Sequence, residues 1–151
     1  MMPTISPFLW FDNQAEQAMN FYTSIFRNSK VISVARAGDQ VMSVVFEIEG
    51  QKVMGMNAGP HFTFNEAFSF FVSVDTQQEI DEYWSKLTAA GGAPGRCGWL
   101  KDQFGLSWQI VPSALGKLMS GDPASAQRVG QALMSMNKLD LAGLQRAHDG
   151  N

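Results

Sequence analysis

The side chains most often used for catalysis are scarce and scattered along this chain. Two histidines occur, His61 directly after a Gly-Pro pair and His148 three residues before the end. Glu66 is one carboxylate that could approach His61, but the histidine count leaves no recognisable serine–histidine–acid arrangement. We therefore interpret both histidines as loop and tail residues rather than as metal ligands or general bases.

The single cysteine, Cys97, is a second candidate for chemistry. It follows Arg96, and a nearby guanidinium lowers the pKa of a thiol and activates it. Neighbours on a strand point to opposite faces, so the two side chains are not expected to pair, and we predict a buried structural cysteine. One cysteine cannot form an internal disulfide, and no signal peptide is evident. Both features favour a cytoplasmic location.

A glycine-rich segment, Gly-Gly-Ala-Pro-Gly at residues 91–95, is a third candidate. Turns that bind S-adenosylmethionine or dinucleotides run from a strand into a helix. This segment follows a predicted helix and leads toward a strand. We therefore interpret it as a loop, and no cofactor is predicted.

Two amphipathic helices organise the chain around these residues. The first runs from Asn13 to about Phe26, with Asp12 or Asn13 as its cap and Glu16 in its first turn. The second begins at Thr76, where Glu79 completes a capping box. Short apolar runs precede both helices, at residues 8–11 and 69–74, and they are typical of strands.

An internal repeat relates the two helices and the strands around them. A shift of 62 residues places Tyr22 on Trp84, and the preceding strands are expected to superpose under the same shift. Three strands are predicted after the first helix, at residues 31–35, 41–48 and 52–56. Three more are predicted after the second, at 94–97, 99–101 and 106–111. Each half thus consists of a strand, a helix and three strands.

These elements predict one duplicated domain over residues 1–112 and a helical tail over residues 113–151. The first unit is expected at about 4–60 and the second at about 66–112. The tail contains Asp122-Pro123, a typical helix start. Because it is amphipathic, we expect it to pack on the same domain or on a partner subunit.

Composition limits the partners of this protein. Eleven basic and fourteen acidic residues give a net charge of −3 without a basic stripe, which argues against nucleic acid. No stretch has the 18 or so apolar residues that cross a membrane. Hydrophobic residues make up 45% of the chain and charged residues 17%, so much apolar surface must be covered. A homodimer is the simplest way to cover it.

The sequence resembles the vicinal oxygen chelate superfamily, which includes glyoxalase I, extradiol dioxygenases and the bleomycin and fosfomycin resistance proteins. It is most similar to the PhnB-like branch, often labelled 3-demethylubiquinone-9 3-methyltransferase-like. The segments that carry the resemblance are Pro-Phe-Leu-Trp-Phe-Asp at 7–12, Ala-Glu-Gln-Ala at 15–18, Phe-Tyr at 21–22, Asn-Ala-Gly-Pro at 57–60, Cys-Gly-Trp-Leu-Lys-Asp at 97–102 and Phe-Gly-Leu-Ser-Trp-Gln-Ile-Val-Pro at 104–112.

The resemblance implies an α+β fold in which tandem βαβββ units form a curved, cup-shaped mixed sheet around a small ligand, followed by the helical tail. It also implies a homodimer. Catalytic relatives hold one divalent metal on the first and last strands of each unit. These positions correspond here to Pro7, Met54, Ser69 and Gln109. None offers the imidazole or carboxylate that such a cation prefers, so no metal is predicted.

Strand alternation then predicts which side chains line the cup. Leu9 and Phe11 are expected to face it from the first strand, while Phe8 and Trp10 pack on the first helix. In the second half, Phe71 provides a wall and Trp99 is expected to close over the ligand. Ser69 and Gln109 serve as polar anchors. The ligand-binding residues predicted in this way are Leu9, Phe11, Met54, Asn57, Ser69, Phe71, Trp99 and Gln109.

Two functional hypotheses follow from these residues. The first is a cytoplasmic dimer that binds a small apolar or aromatic molecule without a metal. The alternative is a metal-dependent lyase, isomerase or dioxygenase that uses displaced ligands, and a purely structural role is a third possibility. Methyl transfer is not expected, and whether any reaction is catalysed stays open.

Overall fold

The computed structural model describes residues 2–151 and contains two compact units. The first ends at Thr63 and the second spans Phe64–Asn151. Each unit contains a strand, a helix and three further strands in that order, and each forms its own four-stranded mixed sheet. The α+β class and the repeated βαβββ pattern are therefore confirmed.

The first unit consists of β1 (Phe8–Phe11), α1 (Ala15–Ile25), β2 (Ser29–Ala37), β3 (Gln40–Ile48) and β4 (Gln51–Asn57). The strands lie in the order β1-β4-β3-β2, with β1 parallel to β4 and the other pairs antiparallel. The β3–β4 turn has positive φ angles at both Glu49 and Gly50, as two-residue hairpin turns of type I′ require.

Helix α1 covers one face of the first sheet. Its buried side chains include Ala18 and Tyr22, and the Tyr22 ring lies 6.1 Å from that of Phe46 on β3. The sequence-based choice of cap is wrong, because the N-cap is Gln14 and its side chain makes no capping bond. Instead Asn57 at the end of β4 accepts a hydrogen bond from the Ala15 N–H at 2.9 Å. A distant strand thus caps this helix.

The prediction of which β1 side chains face the first helix is also wrong. Leu9 and Phe11 are each 3% exposed and lie in the core, whereas Phe8 on the opposite face is 54% exposed. The helices repeat with the expected offset, since Ala18 and Ile80 lie 62 residues apart and are both fully buried. The core-facing strand residues Leu9 and Phe70 are only 61 apart. A slip of one residue moves every side chain of a strand to the other face.

The second unit contains β5 (Ser69–Val74), α2 (Gln77–Thr88), β6 (Ala93–Pro94), β7 (Trp99–Lys101) and β8 (Ser107–Pro112). Its strand order is β5-β8-β7-β6, with β5 parallel to β8. The Thr76–Glu79 capping box begins α2 as predicted. Helix α2 contacts β7 and β8, and fully buried Trp108 and Ile110 belong to the core.

The strand predicted at residues 94–97 is shorter than expected. It ends at Pro94, and Cys97 has a φ of +59° in the turn between β6 and β7. The alternation argument for Cys97 therefore does not apply. The Cys97 N–H donates to the Met136 carbonyl at 2.8 Å, and the neighbouring Gly98 N–H donates to that of Asn137. The turn is held by residues of the C-terminal segment that lie between two of its helices, a contact that sequence spacing does not reveal.

The C-terminal segment forms α3 (Leu115–Leu118), α4 (Pro123–Met134) and α5 (Leu141–Asp149). It packs within the second unit through a hydrophobic cluster that comprises Val111, Leu118, Val129, Leu139 and Leu144. The Gln77 side chain joins α2 to this segment by donating to the Leu139 carbonyl and accepting from the Leu141 N–H, at 3.0 and 2.8 Å. No helix within residues 2–151 has the length and apolar character needed to cross a bilayer.

Candidate ligand-binding site on the second sheet

The face of the second sheet that lies opposite α2 gathers four of the predicted site residues. Phe71 on β5 pairs with Gln109 on β8, and Gln109 pairs with Trp99 on β7. The three side chains therefore form a row across three strands, and Ser69 lies two residues before Phe71 on the same face. Phe71 is 60% exposed, so this row presents an aromatic ring to solvent.

Gln109 and Ser69 are joined directly on this face. The Gln109 Nε2 donates to the Ser69 Oγ at 3.0 Å, in a partly buried position. The hydrogen bond holds the amide in one orientation and leaves the amide oxygen and the serine hydroxyl proton for a ligand. The pair is neutral, and it suits a polar ligand group better than a free cation.

A groove of about 450 Å³ runs between this row and the C-terminal helices. We call it the Phe71 groove; its lining includes Phe71, Trp99, Gln109, Leu115, Met119 and Leu133. Pockets for small organic molecules are of this size, mostly apolar, with a few polar groups that fix orientation. The C-terminal tail therefore supplies one wall of the candidate site, a contribution that strand alternation does not predict.

A second cavity of about 410 Å³ lies beside Trp99, toward β6. We call it the Arg96 cavity; its lining includes Glu66, Pro94, Arg96, Trp99, Lys101 and Ser107. The Lys101 Nζ lies 2.8 Å from a Glu66 carboxylate oxygen. The hydrogen bond from Lys101, with its charge, lowers the pKa of Glu66 below the ordinary glutamate range. The lining thus contains two positively charged side chains, Arg96 and Lys101, and one negatively charged side chain, Glu66.

The loop between β7 and β8 is fixed by a buried carboxylate. Asp102 is 2% exposed. Its Oδ1 accepts hydrogen bonds from the Phe104 and Leu106 N–H groups at 2.8 and 3.1 Å, and its Oδ2 accepts one from the Trp108 indole at 2.9 Å. These bonds set the positions of Lys101 and Ser107 on either side of the loop. The spacing Asp102-x-x-Gly105 is typical of a turn and is the signal of this loop in the sequence.

The predicted site residues of the first unit do not form a comparable face. Leu9 and Phe11 belong to the α1 core, so they cannot form ligand walls. The Asn57 side chain is occupied by the Ala15 N–H and by the Val41 carbonyl, to which it donates at 3.1 Å. Met54 is half-buried and pairs with Phe8, on the face away from α1.

The donors present do not fit a divalent cation of the kind the resemblance implies. Ser69 and Gln109 are neutral and bonded to each other, Pro7 has no donor side chain, and Met54 offers a thioether. Hard cations prefer carboxylates and imidazoles. Within residues 2–151, no group of three or more histidine, cysteine, aspartate or glutamate side chains could hold a metal. His61 instead lies edge-on to Trp10, with ring centroids 6.4 Å apart.

Residues 3–111 match the protein family described as 3-demethylubiquinone-9 3-methyltransferase. A PhnB protein from Bacillus cereus, given the same description, is 34% identical in sequence. The match covers 74% of this chain and 100% of that one, with a TM-score of 0.68. No curated protein matches this sequence.

More distant structures share the fold. Protein PA1353 from Pseudomonas aeruginosa is 17% identical, with a TM-score of 0.64 over 74% of this chain and 98% of its own. The fosfomycin resistance protein FosX from Listeria monocytogenes, solved with Mn(II) and sulfate, is also 17% identical. Its TM-score is 0.53 over 73% of this chain and 92% of its own.

Proposed function

This chain belongs to the family described as 3-demethylubiquinone-9 3-methyltransferase, the PhnB-like branch of the vicinal oxygen chelate superfamily, and we propose that it binds a small apolar or aromatic molecule without a resident metal. The ligand would lie in the Phe71 groove. Phe71 and Trp99 would contact its apolar part. The amide oxygen of Gln109 and the hydroxyl of Ser69 would bond its polar group.

The Gln109–Ser69 hydrogen bond is the observation that carries this proposal. It lies where the resemblance places metal ligands, and it joins two neutral groups at 3.0 Å. A cation there would have to break this bond and accept an amide and a hydroxyl as ligands. A neutral polar ligand would instead extend the same hydrogen-bond chain. FosX is described with Mn(II), and we propose that this chain differs from it in that respect.

Methyl transfer receives no support from the glycine-rich segment. Residues 91–95 follow the end of α2 and lead into β6, the reverse of a strand-to-helix phosphate turn. Gly91 has a φ of +105°, and a Cβ at Gly92 would lie 2.8 Å from backbone atoms of Thr88 and Lys101. The positive φ of Gly91 and the close chain packing at Gly92 therefore explain these two glycines without a cofactor.

We also propose that the protein is a homodimer. The face of the first sheet away from α1 contains Phe8, Trp10, Met54 and Met56, and none of these side chains is fully buried. A row of large apolar side chains of this kind is typical of a surface that a second subunit covers. The cytoplasmic location stays a prediction.

A screen of small aromatic and aliphatic compounds by ligand-detected NMR tests the binding proposal. Truncating Phe71 to alanine removes an apolar wall and should weaken the hits about tenfold or more. Gln109→Ala removes one hydrogen bond and should weaken them roughly two- to tenfold. Phe62→Ala is the matched control, because Phe62 is an exposed phenylalanine of the first unit. Hits that bind both groove variants as tightly as the parent would refute the proposal.

A further inference from the structure

We propose that the Arg96 cavity binds the carboxylate of an aromatic acid, with the ring of that acid against Trp99. The inference goes beyond the proposed binding function, because it assigns a second site that shares Trp99 with the Phe71 groove, and it specifies an anionic ligand for that site. It is carried by three features of the cavity: an excess of positive charge, a buried hydroxyl without a partner, and an apolar wall beside both.

The excess positive charge comes from Arg96. Lys101 is paired with Glu66 at 2.8 Å, so these two charges largely offset each other. The Arg96 side chain lies in the same lining and makes no ion pair with any residue in the described part of the chain. A guanidinium binds a carboxylate through two parallel N–H donors, which makes it well suited to an anionic ligand.

Lys101 can turn from Glu66 to a ligand at little cost. Both side chains of this ion pair are exposed, and exposed pairs are only weakly stabilising because water and salt screen them. Glu66 holds Lys101 at the cavity in the absence of ligand. A ligand carboxylate would compete with Glu66 for the same ammonium group.

The second feature is the hydroxyl of Ser107. This residue is 1% exposed, and its Oγ has no hydrogen-bond partner among residues 2–151. It begins β8 directly opposite Lys101 in the strand pairing, so it lies on the cavity side of the sheet beside the lysine. Buried polar atoms are nearly always hydrogen-bonded, and an orphan in a functional cavity indicates a missing partner. A ligand oxygen at this wall would accept the hydroxyl proton.

The third feature is the apolar wall formed by Trp99, Pro94 and Leu100. Trp99 lines the Arg96 cavity on one side and the Phe71 groove on the other. A flat ring attached to the carboxylate would pack against the indole, which favours aromatic acids over bare anions. The class of ligand is thus a small aromatic monocarboxylate.

Benzoate and its neutral analogue benzamide are suitable probes, titrated into the full chain at low salt and followed by the Trp99 indole N–H signal in NMR spectra. Benzoate should bind about tenfold or more tightly than benzamide, since hydrogen bonds to charged groups are the stronger class. Inorganic phosphate alone should displace benzoate only weakly. Displacement by phosphate at equal concentration would overturn the requirement for an aromatic ring.

Charge variants test the cation and anion of the lining separately. Arg96→Met and Lys101→Met should each weaken benzoate about fivefold or more, whereas Glu66→Gln should strengthen it roughly two- to fivefold by releasing Lys101. The matched controls are Lys86→Met and Glu82→Gln, which break an exposed ion pair on α2 away from the cavity. Equal effects of the two variant sets would mean that only net charge matters, and would overturn the site.

Ser107→Ala separates binding from folding. The hydroxyl has no partner to lose, so the thermal midpoint of the free protein should stay the same or rise, while benzoate binding weakens about two- to tenfold. Unchanged benzoate affinity in this variant would overturn the role of Ser107. If benzoate and benzamide bind equally and Phe71→Ala weakens both, the carboxylate site fails but the proposed function stands. If neither benzoate nor benzamide binds, the carboxylate site fails, and the proposed function is decided separately by the compound screen with the Phe71→Ala and Gln109→Ala variants.

Discussion

Replacing Asp102 with asparagine should strongly destabilise the second unit while hardly changing the size of the side chain. The carboxylate accepts hydrogen bonds from three donors: two backbone N–H groups of its own loop on Oδ1 and the Trp108 indole on Oδ2. Asparagine has one acceptor oxygen and one NH₂ group. Whichever way the amide turns, at least one buried N–H then faces another donor.

The expected cost follows from the number of bonds and their burial. A hydrogen bond to a charged acceptor contributes about 1.5–3 kcal/mol, and leaving its buried donor unsatisfied costs a similar amount. Trp108 is 1% exposed, so water cannot replace the lost acceptor. We expect Asp102→Asn to reduce the free energy of unfolding by about 2–4 kcal/mol, and Asp102→Ala by roughly 3–5 kcal/mol.

Urea unfolding followed by tryptophan fluorescence measures this loss. Asp39→Asn is the control, because Asp39 is an exposed turn residue and its replacement should change stability by less than about 0.5 kcal/mol. Adding Trp108→Phe to both parent and Asp102→Asn completes a double-mutant cycle, and the two substitutions should be coupled by about 1 kcal/mol or more. An Asp102→Asn protein as stable as the control, or an additive cycle, would refute the assignment of this carboxylate as the support of the loop.

Three further predictions concern metal, assembly and pH. Stoichiometric metal in protein purified without chelators, or a melting temperature lowered by a chelator, would contradict metal-free binding. Light scattering should give about twice the chain mass of 16.6 kDa, and a monomer at micromolar concentration would exclude the dimer. The hydrogen bond from the Ser125 side chain lowers the pKa of Asp122 below 3.8. The stabilisation that the Asp122 carboxylate gives α4 as its N-cap is therefore fully present above the unfolded-state pKa, and it is lost as the pH falls through the lower folded-state pKa. Carboxyl NMR shifts that titrate at or above 3.8 would contradict this.

Much of the second unit's candidate face could be predicted from strand alternation alone. Phe70 and Trp108 face the core, and their rings lie 4.8 Å apart. Phe71 and Gln109 are their sequence neighbours and therefore face away. Strand alternation predicts the wrong face for β1 when the 62-residue shift that aligns the two helices is applied to the strands as well. The spacing between a strand and the next helix depends on the loop between them, and a one-residue difference there reverses the face.

The sequence by itself determined the features that depend on neighbours three or four residues away. The Thr76–Glu79 capping box and the Asp122-Pro123 helix start both form where their residue types predict. Each is stabilised by contacts within one turn of chain, so local sequence is sufficient to specify it.

Only the tertiary structure decided the features that join distant segments. Asn57 caps a helix 42 residues earlier, and the Cys97 turn is bonded to residues that follow α4. The Arg96 cavity likewise combines Glu66, the β6–β7 turn and the start of β8. A side chain's partner across such distances depends on strand order and register. These are set by burial of the whole core, because many contacts of similar strength compete and only their sum selects one arrangement.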